Sequence, residues 1–268
     1  MEFFWVDAFA DRAFAGNPAG VCLVDDAVGD AWMQSVAAEL GLSETAFVST
    51  SGLEAKDYHL RWFTPTVEVD LCGHATLAAA HVLYTSGRVL AGQQARFVTR
   101  SGVLAAAQAA GCGISMDFPA EPVVEAAGPD GLTAALGAEP RWMGRNRFDV
   151  LVELEDESSV RRLVPNMDRL ASIDTRGIIV TAPTRDGGYD FVSRFFGPAV
   201  GVPEDPVTGS AHCALGPYWG GRLGKSEVTG VQVSARGGTV AVTVNGDRVT
   251  LTGNAVTVLC GELTPPST

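Results

Sequence analysis

The pattern of hydrophobic and polar positions is most informative between residues 57 and 87. Aromatic and aliphatic residues alternate with polar ones over residues 57–63, which predicts a strand, and Pro65 marks its end. Apolar positions then recur at helical spacing up to Gly87, which predicts a helix that stops at this glycine. A strand that leads through a turn into a helix gathers free backbone N–H groups and the positive end of the helix dipole. This arrangement favours a carboxylate or a developing oxyanion.

The same pattern occurs again 133 residues later. The matching pairs are Asp57 with Asp190, Arg61 with Arg194, Trp62 with Phe195, Phe63 with Phe196, Pro65 with Pro198, Val67 with Val200 and Val69 with Val202. In this alignment Cys72 matches Asp205, and a small insertion then brings Gly73-His74 against Gly209-Ser210. An earlier segment also repeats, because residues 17–21 match residues 146–150 at an offset of 129. A period of about half the chain predicts a duplication of two lobes and not a solenoid.

Many short strands and one central helix are predicted for each half of the chain. The expected fold class is therefore α+β, with two pseudo-symmetric lobes, each a curled, mostly antiparallel sheet around a central helix. We place the N-terminal lobe at residues 1–119 and the C-terminal lobe at residues 120–268. The last strand can instead pair within the sheet of the N-terminal lobe. Asp30 is predicted to cap a further helix that ends at Gly41. The second central helix is predicted over residues 210–215, ended by Gly216-Pro217.

Composition narrows the class of protein. The chain has 268 residues, 46% hydrophobic and 19% charged, as in ordinary globular proteins. Its net charge of −12 argues against nucleic-acid binding. No apolar run reaches membrane-spanning length, and the first residues lack the basic segment of a signal peptide. The five cysteines show no paired spacing, which is typical of reduced thiols, so a cytoplasmic protein without membrane attachment is expected.

Glu44 and His74 are the first candidates for acid–base chemistry. Glu44 lies between Ser43 and Thr45 at the entry to an apolar strand, where partial desolvation would raise its pKa toward a useful value. A surface glutamate in a turn is the structural alternative. His74 follows Gly73 at the start of the central helix, where a neutral imidazole can donate to a substrate or relay a proton. A histidine bonded to nearby backbone would have the same local sequence.

Asp205 and Ser210 are the candidates in the second half. Pro206 restricts Asp205 to an extended conformation, and Gly209 allows backbone to approach a ligand closely. The alternative is an Asp-Pro turn with Ser210 as an ordinary helix cap, although capping does not exclude binding.

Cys72 precedes the first turn of the central helix, where the dipole favours a thiolate. The remaining histidines are interpreted as structural, and no spacing typical of a metal site occurs, so no metal is expected. These histidines are His59, His81 and His212. The sequence also lacks a phosphate-binding loop and a nucleophile elbow.

With these motifs in order, the chain resembles the PhzF family of phenazine-biosynthesis-like isomerases. The resemblance extends over nearly the whole sequence and rests on six segments: residues 6–9, 16–19, 42–47, 61–65, 71–77 and 204–211. It implies the diaminopimelate-epimerase-like fold, with a site in the cleft between the two lobes. It also implies a homodimer and a small carboxylated substrate.

The resemblance carries the family's functional residues onto this chain one by one. The acid/base glutamate falls on Glu44, the histidine on His74, the aspartate on Asp205 and the serine on Ser210. These four are the expected catalytic residues. Expected substrate-binding residues are Asn17, Ser43, Cys72, Gly73 and Gly209.

The reaction implied by the PhzF enzyme is the isomerisation of trans-2,3-dihydro-3-hydroxyanthranilate. Glu44 would take the proton from C3 and a proton would return at C1, with no cofactor and no metal. Two alternatives stay open. An amino-acid racemase or epimerase would use Cys72 as one of two opposed thiols, although Asp205 takes the other place in the repeat. A non-catalytic binding protein would keep the same residues. In either enzyme, we expect the two helix starts to hold one anionic ligand.

Overall fold

The computed structural model of the chain describes residues 1–25, 28–49, 57–109, 111, 113–185 and 187–264. It divides into two compact units. The first unit comprises Met1–Asp117 together with Thr252–Thr268, and the second comprises Phe118–Leu251. The sequence prediction had placed the boundary after residue 119 and assigned residues 120–268 to one lobe, apart from a last strand free to return.

Among the residues that the structure describes, the first unit consists of strands and two helices. Its strands are β1 (Glu2–Ala8), β2 (Asn17–Leu23), β3 (Glu44–Ser49), β4 (Asp57–Phe63), β5 (Glu68–Val69), β6 (Ala95–Thr99), β7 (Gly102–Gln108) and β8 (Ile114–Pro119), the last crossing the boundary. Its helices are α1 (Asp30–Leu40) and α2 (Gly73–Thr85). Strands β2 and β3 are parallel, as are β4 and β6, because a helix connects each pair. The other ladders among these strands are antiparallel.

Helix α2 is the central element of the first unit. Its buried residues include Ala75, Leu77, Ala80, Val82 and Leu83, so its apolar surface extends around the helix, as expected of a helix enclosed by a sheet. By contrast, α1 buries only Met33 and Ala37.

Helix α1 corrects one prediction and confirms another. Gly29 and not Asp30 is its N-cap, because Asp30 is the first helical residue and its carboxylate pairs with Arg61 at 2.8 Å. Gly41 ends the helix with a left-handed φ of 62°, as predicted.

The second unit repeats this order. Its strands are β9 (Val124–Glu125), β10 (Trp142–Arg145), β11 (Asp149–Glu153), β12 (Gly177–Pro183), β13 (Phe191–Gly197), β14 (Val202–Asp205), β15 (Glu227–Gln232), β16 (Gly238–Asn245) and β17 (Arg248–Gly253), the last crossing the boundary. Its helices are α3 (Leu132–Leu136), α4 (Glu157–Arg162), α5 (Met167–Ala171) and α6 (Gly209–Leu223). The chain then returns to the first unit as β18 (Ala255–Glu262), which pairs with β1.

The ladders of the two units correspond one to one. The parallel pairs β11–β12 and β13–β15 match β2–β3 and β4–β6, and α6 takes the place of α2. Strand β9 pairs with β10 as β18 pairs with β1. This mixed α+β architecture, mostly antiparallel with a central helix in each unit, confirms the predicted fold class.

The strand registers correct the alignment between the two halves. The offset of 133 holds for β3 and β12, and it makes Gly177 the counterpart of Glu44. The register pairs that fix this are Thr45 with Phe63 and Ile178 with Phe196. In the parallel ladders Ala19 lies beside Glu44 and Asp149 beside Gly177. Asp149 is therefore the counterpart of Ala19, at an offset of 130 (149 minus 19) and not 129. A slip of one residue would turn the side chains to the opposite face of the sheet.

The matches of Cys72 with Asp205 and of Val69 with Val202 are wrong. Asp205 pairs with Phe195 just as Val69 pairs with Trp62, so the three-residue insertion lies before Asp205 and not after it. The counterpart of Cys72 is Thr208, because these two residues are the N-caps of α2 and α6. The match of Gly73-His74 with Gly209-Ser210 is correct, since both glycines begin their helices.

Helix α6 is longer than the predicted 210–215, because it continues through Pro217 to Leu223. Proline lacks the N–H that would bond to the carbonyl of Cys213 in an uninterrupted helix. The backbone N–H of Glu121 donates to that carbonyl instead, at 3.0 Å. Gly216 allows the helix to lie close against β16, since a Cβ there would come within 2.4 Å of Val242. No helix within the described ranges is long and apolar enough to cross a membrane.

Candidate active site

The parallel ladder between β2 and β3 creates the first group of predicted site residues. Asn17 is the first residue of β2 and Glu44 the first of β3, so the same ends of both strands lie side by side. Ser43 precedes Glu44 directly. Helix α2 begins at Gly73, with Cys72 as its N-cap and His74 in its first turn. The structure thus gathers the predicted residues Asn17, Ser43, Glu44, Cys72 and His74 around one helix start, and we call these five the Glu44 cluster.

Glu44 and His74 are in direct contact in this cluster. Glu44 Oε2 lies 3.3 Å from His74 Nε2, and their side chains are 21% and 7% exposed. Ser43 Oγ lies 3.4 Å from the same ring nitrogen. Glu44 therefore keeps one side open to solvent while its other side contacts an imidazole that is almost fully enclosed.

Asn17 determines which nitrogen of His74 carries the proton. Its amide Nδ2, which can only donate, lies 3.3 Å from His74 Nδ1, and its Oδ1 accepts from Ser43 Oγ at 3.4 Å. With Nδ1 as acceptor, a neutral His74 carries its proton on Nε2. That N–H then donates to the Glu44 carboxylate. Asn17 itself is completely buried, so this orientation is protected from competing water.

Burial raises the pKa of Glu44 above its ordinary value of 4.5, and hydrogen bonds from Ser43 and Cys72 offset part of this rise. Desolvation disfavours the charged carboxylate, whereas the hydrogen bonds stabilise it. The result is a carboxyl group that takes up and releases protons more readily near neutral pH than a surface glutamate. This is the property required of a general acid and base.

The other predicted residues lie in the second unit. Asp205 is the last residue of β14, and its Oδ2 accepts from Thr208 Oγ1 at 2.5 Å. Gln232 links the same turn, since its Nε2 donates to the Asp205 carbonyl at 2.7 Å and its Oε1 accepts from Thr208 N–H at 3.0 Å. Asp205 is thus fixed in the turn that enters α6, whose first helical residue is Gly209.

Ser210 has a partner that the sequence interpretation missed. Arg176 Nη2 lies 3.2 Å from Ser210 Oγ, and the same guanidinium binds Asp149 through Nε at 2.9 Å and Nη2 at 2.5 Å. Asp149 is 1% exposed, whereas the Arg176 side chain is 36% exposed and also packs over Phe148. A signal was present in the repeat, because the offset of 133 from Ser43 falls on Arg176 (176 minus 43). We call Asp149, Arg176 and Ser210 the Arg176 cluster.

The histidines predicted to be structural have structural contacts. His212 is fully buried, with Nδ1 2.8 Å from the Thr208 carbonyl, and burial lowers its pKa to about 4. His81 lies 3.0 Å from Thr257 Oγ1, and burial lowers its pKa as well. His59 lies within strand β4.

Comparison with known proteins identifies the family of the chain. Residues 6–261 match the PhzC-PhzF family, described as phenazine biosynthesis-like protein. An uncharacterised isomerase of Halalkalibacterium halodurans is 52% identical over 96% of both chains. A crystal structure of a PhzF family protein from Enterococcus faecalis superposes with a TM-score of 0.92 at 40% identity, covering 98% of this chain and 99% of that one.

A more distant neighbour extends the likeness in fold alone. A predicted epimerase from Pseudomonas aeruginosa superposes with a TM-score of 0.72 at 21% identity, covering 99% of both chains. The epimerase-like architecture expected from the sequence is thereby confirmed.

Proposed function

Because the chain belongs to the PhzC-PhzF family of phenazine biosynthesis-like proteins and is an isomerase, we propose that it moves a proton between two carbon atoms of a small carboxylated substrate. The observation that carries this proposal is the contact between Glu44 and His74 at 3.3 Å, in which a partly buried carboxyl faces an enclosed imidazole. The reaction needs no cofactor, since one carboxyl group can both remove and return the proton.

In the proposed reaction the ionised Glu44 removes a proton from carbon. With trans-2,3-dihydro-3-hydroxyanthranilate, the C3–H bond breaks and its electron pair forms a new C=C bond. The electrons of the former double bond then take a proton at C1 from the protonated Glu44. No atom is gained or lost, so the product is an isomer. The raised pKa of Glu44 makes it a stronger base in the first step and leaves a usable acid for the second.

His74 is assigned the task of positioning and stabilising this carboxyl group. Its Nε2–H donates to Glu44 when Glu44 is ionised, and Asn17 keeps the imidazole in the required tautomer through Nδ1. The single proton of the Ser43 hydroxyl can turn from Asn17 Oδ1 to Glu44, and in that position it stabilises the ionised carboxylate. Gly73 and Cys72 complete the helix start and are assigned to substrate binding.

Asp205 and Ser210 are assigned to the same reaction on the strength of the resemblance, with Gly209 as a substrate-binding residue. Arg176 adds a positive charge beside Ser210, and among the described residues its Nη1 has no hydrogen-bond partner. A guanidinium with a free donor suits the carboxylate of a substrate. We therefore assign the substrate carboxylate to the Ser210–Arg176 pair.

Proton exchange with solvent provides the test. The protein is incubated in D₂O with trans-2,3-dihydro-3-hydroxyanthranilate, and separately with a panel of small unsaturated and 2-amino carboxylates, and each is followed by ¹H NMR. The proposal predicts an isomer of at least one compound, with deuterium at the new carbon to the extent that the proton on Glu44 exchanges with solvent before it is returned. Exchange at an amino-acid α-carbon with inversion would instead support the racemase alternative. Absence of both isomer and exchange in the whole panel would support a non-catalytic binding protein.

The racemase alternative lacks its second thiol at the expected position. The counterpart of Cys72 at the start of α6 is Thr208, which is neither a thiol nor a titrating group near neutral pH. We therefore do not adopt it.

The setting of the reaction also remains a proposal. We propose a cytoplasmic homodimer that binds neither nucleic acid nor membrane, as expected from the resemblance and the net charge of −12. Light scattering of the purified protein tests the oligomeric state, and a monomer would contradict it. Cell fractionation tests the location.

A further inference from the structure

Three different metal-binding side chains meet in the Glu44 cluster, although their spacing in the sequence is not that of a metal motif. Glu44, Cys72 and His74 each contribute one donor atom, and these three atoms lie within 4.8 Å of one another. We propose that these three residues form a Zn²⁺ site and that Zn²⁺ binding reversibly inhibits the isomerase. Zinc binding does not depend on the proposed reaction, whereas the inhibition rests on it.

The donor set selects the kind of metal. A thiolate, an imidazole and a carboxylate together suit Zn²⁺, whereas Mg²⁺ and Ca²⁺ prefer oxygen ligands only. Three protein ligands with a fourth position left open are typical of zinc sites that exchange their last ligand. Glu44 is the solvent-accessible member, at 21% side-chain exposure, so an ion can enter from its side.

The three donor atoms are within reach of a tetrahedral site after side-chain rotation. Zinc bonds of about 2.0–2.3 Å place neighbouring ligand atoms roughly 3.3–3.7 Å apart. Glu44 Oε2 is already 3.3 Å from His74 Nε2, and Cys72 Sγ is 3.5 Å from His74 Nδ1. A hydrogen bond also joins Cys72 to Glu44. The two short distances end on opposite ring nitrogens, and one ion binds only one of these. Side-chain rotations must therefore bring the third ligand atom from within 4.8 Å to about 3.3–3.7 Å of the other two.

The surroundings can support either neutral tautomer of His74. When a ring nitrogen binds metal, the other carries the proton and needs an acceptor. Asn17 can meet this need by turning its amide, which brings Oδ1 to the imidazole and directs Nδ2 to Ser43 Oγ. Zinc would also require Cys72 to release its thiol proton to solvent, so binding should weaken as the pH falls.

Inhibition follows from shared residues. A Glu44 oxygen bound to Zn²⁺ cannot accept a proton from carbon, and a His74 whose Nε2 binds the metal cannot donate to Glu44. Even with substrate bound, the base needed for turnover would be engaged by the metal. Zinc should therefore lower turnover until a chelator removes it.

Cobalt provides the binding test because Co²⁺ bound to a thiolate absorbs through charge transfer. The full-length protein, treated with chelator and reductant, is titrated with Co²⁺ and then with Zn²⁺. We expect a charge-transfer band that saturates at one equivalent, disappears in Cys72→Ser and is displaced by Zn²⁺. The matched control is Cys260→Ser, which removes an exposed thiol and should keep the band. No band, a band that survives Cys72→Ser, or one lost in Cys260→Ser would overturn the site.

A second variant covers the possibility that Cys72→Ser folds poorly. Glu44→Gln removes a ligand without changing side-chain size, and it should weaken Zn²⁺ affinity at least tenfold in calorimetry. The same affinity in Glu44→Gln as in the unaltered protein would remove the carboxylate from the site. Mg²⁺ at the same concentration should release no heat in either protein.

Activity measurements separate the two parts of the proposal. Zn²⁺ should inhibit deuterium exchange into substrate at one bound equivalent, and a chelator should restore it. The ratio of rates with and without Zn²⁺ should approach one in Cys72→Ser, whatever the basal rate of that variant. Full turnover with one zinc bound would overturn the inhibition. A cobalt band in a protein that isomerises no substrate would contradict the proposed reaction and leave the metal site in place.

Discussion

The same topological position carries different chemistry in the two units. In the first unit, the first residue of β3 is Glu44, and it contacts His74 in the first turn of α2. In the second unit, the corresponding residues are Gly177 at the start of β12 and Ser210 in the first turn of α6. The residue before the strand also differs, being Ser43 in one unit and Arg176 in the other. The start of this strand therefore carries a titrating carboxyl group in the first unit and, one residue earlier, a permanent positive charge in the second.

Packing explains why the second unit has no carboxyl group at this point. A Cβ on Gly177 would come within 2.2 Å of the Phe195 ring and 3.1 Å of Asp149 Oδ1. Phe195 is the counterpart of Trp62, and its ring therefore occupies space that a side chain at residue 177 would need. Both copies thus retain the parallel strand ladder and the helix start. The first copy carries the acid–base group Glu44, and the second carries the positive charge of Arg176.

Removal of the titrating group should have the largest effect. Glu44→Gln retains the size of the side chain but cannot accept a proton, so turnover should fall by roughly 10²-fold or more. Binding of a product analogue should change far less, as calorimetry would show. The matched control is Glu39→Gln on the exposed surface of α1, which should keep full turnover. Near-normal turnover in folded Glu44→Gln would remove Glu44 from its proposed role.

An attempt to restore symmetry should damage the second unit. Gly177→Glu places a side chain against the Phe195 ring, and overpacking of this kind costs about 1–3 kcal/mol. Urea denaturation would measure the loss. A matched control is Gly187→Glu, where a Cβ meets no atom within 4 Å. Equal stability of Gly177→Glu and the unaltered protein would show that packing does not exclude a carboxyl group here.

The ion pair of the Arg176 cluster should show coupling. Arg176→Ala leaves the buried Asp149 carboxylate without its guanidinium. We expect a cost of roughly 1–3 kcal/mol, as for a buried acceptor left unsatisfied, because the partly exposed position of Arg176 lets water reach the gap. The double variant Asp149→Asn with Arg176→Ala should lose less stability than Arg176→Ala alone. Additive losses in a double-mutant cycle would contradict a coupled pair.

The pH dependence of stability should also reveal the Asp149–Arg176 pair. Burial raises the pKa of Asp149, and Arg176 offsets part of the rise. Without Arg176 the pKa should rise further, so the ionised carboxylate destabilises the folded state more. The deficit of Arg176→Ala should therefore shrink as the pH falls and Asp149 becomes protonated. A deficit that is constant with pH would contradict this cause.

Replacement of Cys72 should lower turnover less than replacement of Glu44. Its counterpart is Thr208 and Glu44 already supplies a base, so Cys72→Ala should retain turnover within about tenfold of normal. Alkylation of Cys72 should inhibit through the bulk of the added group. Complete loss of turnover in well-folded Cys72→Ala would return the racemase alternative to consideration.

The smallest expected effect is a gain in stability. Because burial raises the folded-state pKa of Glu44 above 4.5, the ionised carboxylate disfavours folding at neutral pH. Glu44→Gln should therefore be slightly more stable than the unaltered protein at pH 8. The advantage should vanish as the pH falls below 4.5, where the folded and unfolded states are both protonated. A variant that is less stable at pH 8 would contradict the desolvation of Glu44.

The sequence predicted the parts of this comparison that depend on local pattern. The predicted helix starts at Gly73 and Gly209 are correct because a strand, a turn and a helical pattern recur in both halves of the sequence. The grouping of Glu44 with His74 came from resemblance, and it depends on the parallel ladder between β2 and β3. Hydrophobic periodicity does not reveal which distant strands pair.

The remaining features depend on contacts between distant residues. The three-residue insertion was misplaced because the register shifts between Phe195 and Gly197, which the repeat cannot show. Helix α6 continues through Pro217 because Glu121 supplies the missing donor from elsewhere in the chain. The Arg176 cluster was missed for the same reason, since Asp149 and Arg176 meet only through the ladder between β11 and β12.

The most direct test of the central claim is to compare two titrations of one group. The carboxyl of Glu44, labelled with ¹³C and assigned through Glu44→Gln, is titrated by NMR, and kcat/KM is measured over the same pH range. We predict that Glu44 titrates above 4.5 and that kcat/KM rises with the same midpoint, since the ionised carboxylate removes the proton. A Glu44 midpoint at or below 4.5, or a rise in kcat/KM that persists with an unchanged midpoint in Glu44→Gln, would contradict the account.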